Sequence, residues 1–114
     1  MPANPVVDME HLARYTGGDA ALNAEILRLF DSQANVLVAR LKAILDARDA
    51  RSWKEVTHTI KGAARGIGAF PLADSAAKLE PLDLSDRATI LSELGVLNDR
   101  AEAVAAFIRD YTAA

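Results

Sequence analysis

The 114-residue sequence contains no cysteine. A disulfide scaffold, an iron–sulfur cluster, a cysteine-bound zinc and a thiol nucleophile are therefore excluded. Aromatic residues are few, one Trp, two Tyr and three Phe, and there are only two histidines, His11 and His58. Positive charge does not predominate: 13 Lys and Arg face 16 Asp and Glu, for a formal net charge of -3. That balance argues against a general binder of nucleic-acid phosphates, which needs a basic surface. No apolar run approaches the roughly 18 residues of a membrane span. Met1-Pro2-Ala3-Asn4-Pro5 lacks the basic start and apolar stretch of a signal peptide. The expected compartment is the cytoplasm, and neither a nucleic acid nor a membrane is an expected partner.

What is present is apolar material, 51% of residues against 25% charged, too much for a disordered chain. The length suits a single domain over 1–114. The starting Met and uncluttered ends favour a free-standing protein, and a bundle that closes its own core is expected to be a monomer.

Punctuation is sparse. Pro2 and Pro5 mark a short extended lead over 1–7. Thr16-Gly17-Gly18 is a break, and Asp19 suits the N-cap of the next helix, because its carboxylate accepts the first free N–H groups. Ala47–Ala50 is a polar gap, Gly66-Ile67-Gly68 a second break, and Pro71 fits a first helical turn. Pro81–Ser85 is the last loop, with Ser85 as the expected cap of the final helix. Between these breaks the apolar period is helical throughout. Leu22, Ile26, Phe30, Leu37, Leu41 and Ile44 form one stripe; Trp53, Val56, Ile60, Ala63 and Ile67 form another. Leu91, Leu94, Leu97, Ala101, Val104, Ile108 and Tyr111 form a third. No alternating strand pattern is found. The spacing predicts helices over 8–15, 20–47, 51–67, 71–80 and 86–111. Short links between long amphipathic helices make antiparallel neighbours, so the fold class is all-α: an antiparallel up-and-down four-helix bundle with a short additional N-terminal helix. Trp53, Phe30 and Phe107 belong in the core, and His11 decorates the first helix.

Chemistry is scarce. Glu55-Val56-Thr57-His58 is one half of a bundle metal site, and nothing supplies the second half. No nucleophile elbow and no phosphate-binding Gly-rich loop is present. His58 stands out by direction. On a helical wheel of about 100° per residue it lies roughly 160° from the centre of its helix's apolar stripe, on the solvent face. Lys54, Lys61 and Arg65 lie on the same side. A helical side chain leans over the turn before it, so residue 62 is the one that would cover the imidazole, and residue 62 is glycine. A glycine inside a helix costs about 1 kcal/mol relative to alanine. The expected result is an uncovered imidazole in a positively charged, side-chain-poor patch. An imidazole is largely neutral and nucleophilic at pH 7. Neighbouring cations offset the charge of an incoming phosphoryl group, and phosphoryl transfer asks of a protein mainly positioning and charge neutralisation. The wheel alone leaves open an idle surface histidine and a merely solvated cationic face.

The run His58-Thr59-Ile60-Lys61-Gly62-Ala63-Ala64-Arg65-Gly66-Ile67-Gly68-Ala69, followed by Leu72, Leu79 and Glu80, resembles the signature of histidine-containing phosphotransfer (HPt) domains. Gly18-Asp19 and the long second helix fit the same family, so the resemblance spans nearly the whole chain. The family implies a four-helix bundle that accepts a phosphoryl group on one exposed histidine from a receiver-domain aspartyl phosphate, typically of a hybrid histidine kinase. It then passes the group to the aspartate of a response regulator. By the resemblance, His58 is the acceptor, Lys61 the phosphate-side cation, Gly62 the clearance position and Gly68 the small residue ending the helix. A role for Arg65 as charge support is an inference from the wheel alone. Family members often carry a cysteine four residues after the leucine of the next helix; here Leu72 is followed by Ala76, a small residue at a packing position.

Histidine-kinase dimerisation domains also carry a phosphorylated histidine on a bundle, but usually place an acidic residue directly after it. Here that residue is Thr59. The expectation is a phosphotransfer intermediate without autokinase activity, with no cofactor and no metal of its own, magnesium being brought by the receiver. Receiver docking is expected around His58, over Lys61, Arg65 and an exposed apolar residue of the second helix such as Val38. Two alternatives remain: a helical adaptor module in which His58 is incidental, and a metal- or cofactor-binding bundle, which needs a second ligand cluster.

Overall fold

An aspartate opens four of the five helices. In the computed structural model, which describes residues 5–113, these are α1 (Met9–Thr16), α2 (Ala20–Ala47), α3 (Ala50–Ile67), α4 (Phe70–Leu79) and α5 (Arg87–Thr112). Asp8, Asp19, Asp49 and Asp86 accept from the free N–H groups of α1, α2, α3 and α5 respectively. Each carboxylate also meets the positive end of a helix dipole. The last helix is capped by Asp86 rather than by the expected Ser85. The Ser85 N–H instead donates to Asp83 Oδ1 at 2.9 Å, holding the preceding turn. Only α4 starts without a side-chain cap, and there Pro71 sits in the first turn. Of the lead expected over 1–7, residues 1–4 lie outside the described residues.

The ends are as local. Gly17 and Gly68 terminate α1 and α3 in the left-handed conformation. Arg48 does so for α2 with φ 55°, where a side chain normally avoids that region. Gly68 has a second reason to be glycine. A Cβ there would lie 2.6 Å from the Asp8 carbonyl oxygen, and the Asp8 N–H donates to Gly68 O at 2.9 Å. The end of α3 and the start of α1 are thus in backbone contact.

Every regular element among the described residues is helical, and α2, α3, α4 and α5 pack in a closed ring with α1 against α2 and α3. The core draws on the three predicted stripes and equally on residues outside them, among them Leu27, Leu45, Leu72 and Leu79, each at most 1% exposed. Trp53, Ile60, Leu41 and Leu97 are all at most 1% exposed. Some register details differ. Ile90 is buried and Leu91 is 40% exposed; Ala64 is buried and Ala63 only half so; Leu22 lies outside the core at 39%. Phe107 is half-buried and stacks on Tyr111, with ring centroids 6.2 Å apart. Polar groups in the interior are paired, as low-dielectric surroundings require. Thr16 Oγ1 donates to Asn23 Oδ1 (2.6 Å), and Asn23 Nδ2 to the Tyr111 hydroxyl (3.2 Å), joining α1, α2 and α5. Trp53 Nε1 donates to the Leu79 carbonyl at 2.9 Å, fixing the end of α4 to the middle of the bundle. No helix among the described residues is long and apolar enough to cross a membrane.

Candidate functional site

α3 turns Trp53, Val56, Ile60 and Ile67 inward, and the opposite face is what solvent meets. His58 is at the middle of that face with its side chain 69% exposed. Gly62, one turn on, is exposed, and a Cβ added there would meet nothing within 4 Å. The same is true of Gly66. Neither glycine is demanded by packing or by a positive φ, so both leave space for something outside the chain. Thr59, directly after His58, turns its hydroxyl onto its own helix, donating to the Glu55 carbonyl at 2.8 Å.

Lys61, expected as the phosphate-side cation, is engaged by a carboxylate. Its Nζ lies 2.7 Å from Glu80 Oε1, and both side chains are only 19% exposed. The other oxygen of that carboxylate, Oε2, stands 3.4 Å from His58 Nδ1. Glu80 directly follows the last residue of α4, the residue whose carbonyl Trp53 holds. One carboxylate thus bridges the candidate nucleophile and the candidate cation. The Lys61 hydrogen bond, with the charges of Lys61 and His58 behind it, holds the Glu80 carboxyl below its ordinary value, against the smaller opposing effect of desolvation. In the sequence, Leu79-Glu80 belongs to the family pattern, but nothing there gives Glu80 a role; the signal available was an acid at the close of a helix that must run back along α3.

Arg65 is exposed, two turns from His58, and does not line the hollow of about 320 Å³ beside the ring. That hollow is lined by Arg51, Lys54, Glu55, His58 and Glu80. Val38 is also not where docking was expected. It is half-buried, packed on the core, and faces a hollow shared with Phe30, Leu72 and Val104 on the side of α2 away from His58. Val36, two residues earlier and so on the other side of the helix, is 60% exposed and shares a shallow hollow with Leu37 and Thr59. Leu29, two turns before Val36, is 63% exposed. His11, expected to decorate α1, is half-buried against Phe70 and Tyr15. Among the described residues no three His, Asp or Glu side chains gather closely enough to hold a metal ion.

A helical bundle that lifts one imidazole clear of its own side chains, beside a lysine and a carboxylate, has the form of a single-histidine carrier. The Hpt domain family model matches residues 25–107, and the chain belongs to that family, the histidine phosphocarriers of phosphorelay signalling. No curated protein matches significantly. Among solved structures the fold is similar to histidine-containing phosphotransfer protein B (HptB) of Pseudomonas aeruginosa PAO1. The TM-score is 0.85 at 20% identity over 97% of each chain.

Proposed function

We propose that His58 is the phosphoacceptor, taking a phosphoryl group from an aspartyl phosphate on one receiver domain and delivering it to the aspartate of another. The observation that carries this reading is the exposed imidazole whose Nδ1 faces Glu80. A carboxylate at Nδ1 favours the tautomer with the proton there, which leaves the lone pair on Nε2. In the forward step Nε2 attacks phosphorus. The N–P bond forms as the P–O bond to the receiver's aspartate breaks, and that electron pair leaves with the aspartate carboxylate. The Nδ1 proton stays against Glu80, whose negative charge stabilises the positive phosphoimidazolium ring. The second receiver reverses these steps with its own aspartate as nucleophile. Lys61, held by Glu80, places a cation at the phosphate side, and Arg65 adds positive field without touching the ring. Gly62 keeps the approach to Nε2 open.

Thr59 offers no general base beside the ring, and the chain is a transfer intermediate without autokinase activity. The carboxylates that hold magnesium in the reaction belong to the receiver. Docking uses the face of α2 and α3 next to His58, where Val36 and Leu29 are exposed. The protein acts as a monomer in the cytoplasm. Incubation with a panel of phosphorylated receiver domains tests the reading. One acid-labile, alkali-stable label is expected at His58, absent in His58→Gln with the fold intact. Undiminished transfer in that variant rejects the proposal, and partner binding indifferent to both phosphate and His58 points instead to an adaptor.

A further inference from the structure

Charge balance at the site calls for a cation that Lys61 does not supply. Lys61 is already committed to Glu80 at 2.7 Å. A phosphoryl group brings about -1.5 to -2 charges near neutral pH, and Glu80 adds one more beside the ring. Lys61 and the positive phosphoimidazolium ring together offset two of these, which still leaves up to about one negative charge at the site. Arg51, on the rim of the same hollow, is bound to Glu55 by its Nε at 3.3 Å. Lys54 is different. It is exposed, it lines the hollow with His58 and Glu80, and no carboxylate lies within ion-pair distance of it among the described residues. It precedes His58 by four residues, a spacing that makes helical neighbours about 5–6 Å apart at Cβ. A helical side chain leans back over the preceding turn, so the imidazole reaches toward Lys54 while Gly62 leaves its other side open.

Resting on the assignment of His58 as acceptor, we infer that Lys54 is the cation that closes on the phosphoryl group once it is on His58. Its ammonium donates to a phosphoryl oxygen, while Lys61 stays with Glu80. The flexible four-carbon stem lets it withdraw when a receiver docks and its active site takes over the phosphate. Lys54 is thus a phosphate-binding residue of the loaded state, with no carboxylate to release in the unloaded one.

The test needs no receiver. The protein is phosphorylated chemically with phosphoramidate, and the second ionisation of the phosphoryl group is followed by ³¹P NMR against pH. The titratable groups facing it are Lys54, Glu55, Arg51 and Lys61 from α3 and Glu80 from the end of α4. Lys54→Gln is expected to raise the midpoint by about 0.3–0.7 pH units, the size an exposed ion pair gives. Lys54→Arg restores it, and Arg65→Gln moves it less. An unmoved midpoint in Lys54→Gln, or an equal shift in Arg65→Gln, overturns the inference. Persistence of the phosphohistidine signal in His58→Gln is a separate result, which sinks the acceptor assignment itself.

Discussion

The chain's two histidines both sit on amphipathic helices and differ in everything that matters for chemistry. His11 is half-buried, with Phe70 and Tyr15 edge-on at ring-centroid distances of 5.1 and 5.6 Å. His58 projects into water with a carboxylate at Nδ1 and a glycine where the next turn's side chain would be. The helix does not decide which imidazole is available; the residues beside it do. Aromatic edges make an imidazole part of the packing, whereas a carboxylate and a gap leave it open to solvent and to an incoming group. Exchanging the two positions for glutamine separates the roles. His58→Gln is expected to abolish labelling by phosphorylated receivers and leave urea-unfolding stability unchanged. His11→Gln is expected to keep the label and lose about 1 kcal/mol of stability, the scale of an aromatic pair. A label that follows His11 breaks the comparison.

Two glycines of α3 sharpen it next. Gly68 is held by its own fold: φ is +84°, and an added Cβ would meet Asp8 backbone at 2.6 and 3.1 Å. Gly68→Ala is expected to cost about 2–4 kcal/mol from left-handed strain and overlap, measured by chemical denaturation. Gly62 meets nothing. Gly62→Ala therefore gains up to about 1 kcal/mol of helix stability, while transfer from a receiver slows, because the methyl group stands where the partner must approach the imidazole. A Gly62→Ala variant that is more stable and equally fast removes the clearance argument.

The bundle was legible because its signal is local and repeated. Stripes at threes and fours placed Trp53, Ile60 and Leu97 in the interior, and that same phase put His58 outside. What escaped was either ambiguous by one residue or assembled from distant segments. Ile90 and Leu91 both satisfy the spacing of the next apolar residues, and only the packing of the folded bundle chooses Ile90. Ser85 and Asp86 are both good caps, and geometry chose the second. α2 packs against α1, α3 and α5, so its buried surface is broad; Val36 and Val38 cannot be ranked without knowing which neighbour covers which. Glu80 is 22 positions from His58. It arrives beside the ring because α4 runs back along α3 and Trp53 anchors its last turn. No periodicity within either helix contains that contact.

The Glu80 carboxylate is what His58 has and His11 lacks, and its titration gives the smallest and most specific effect. Its folded-state pKa is lowered from 4.5, chiefly by the Lys61 hydrogen bond. A carboxyl whose folded pKa is depressed contributes stability fully above its unfolded value and loses it as pH falls through the folded one. Wild type is therefore expected to exceed Glu80→Gln in unfolding free energy at pH 7. The difference shrinks once the pH drops below 4.5 and disappears when Glu80 is protonated, since a neutral carboxyl and an amide are alike in shape and charge. The expected gap at neutral pH is small, because the Lys61–Glu80 pair is partly solvated. Denaturation curves of the two proteins at several pH values measure it. If they stay parallel through the acid range, Glu80 is not held by Lys61 in solution, and the carboxylate has no claim to orient His58.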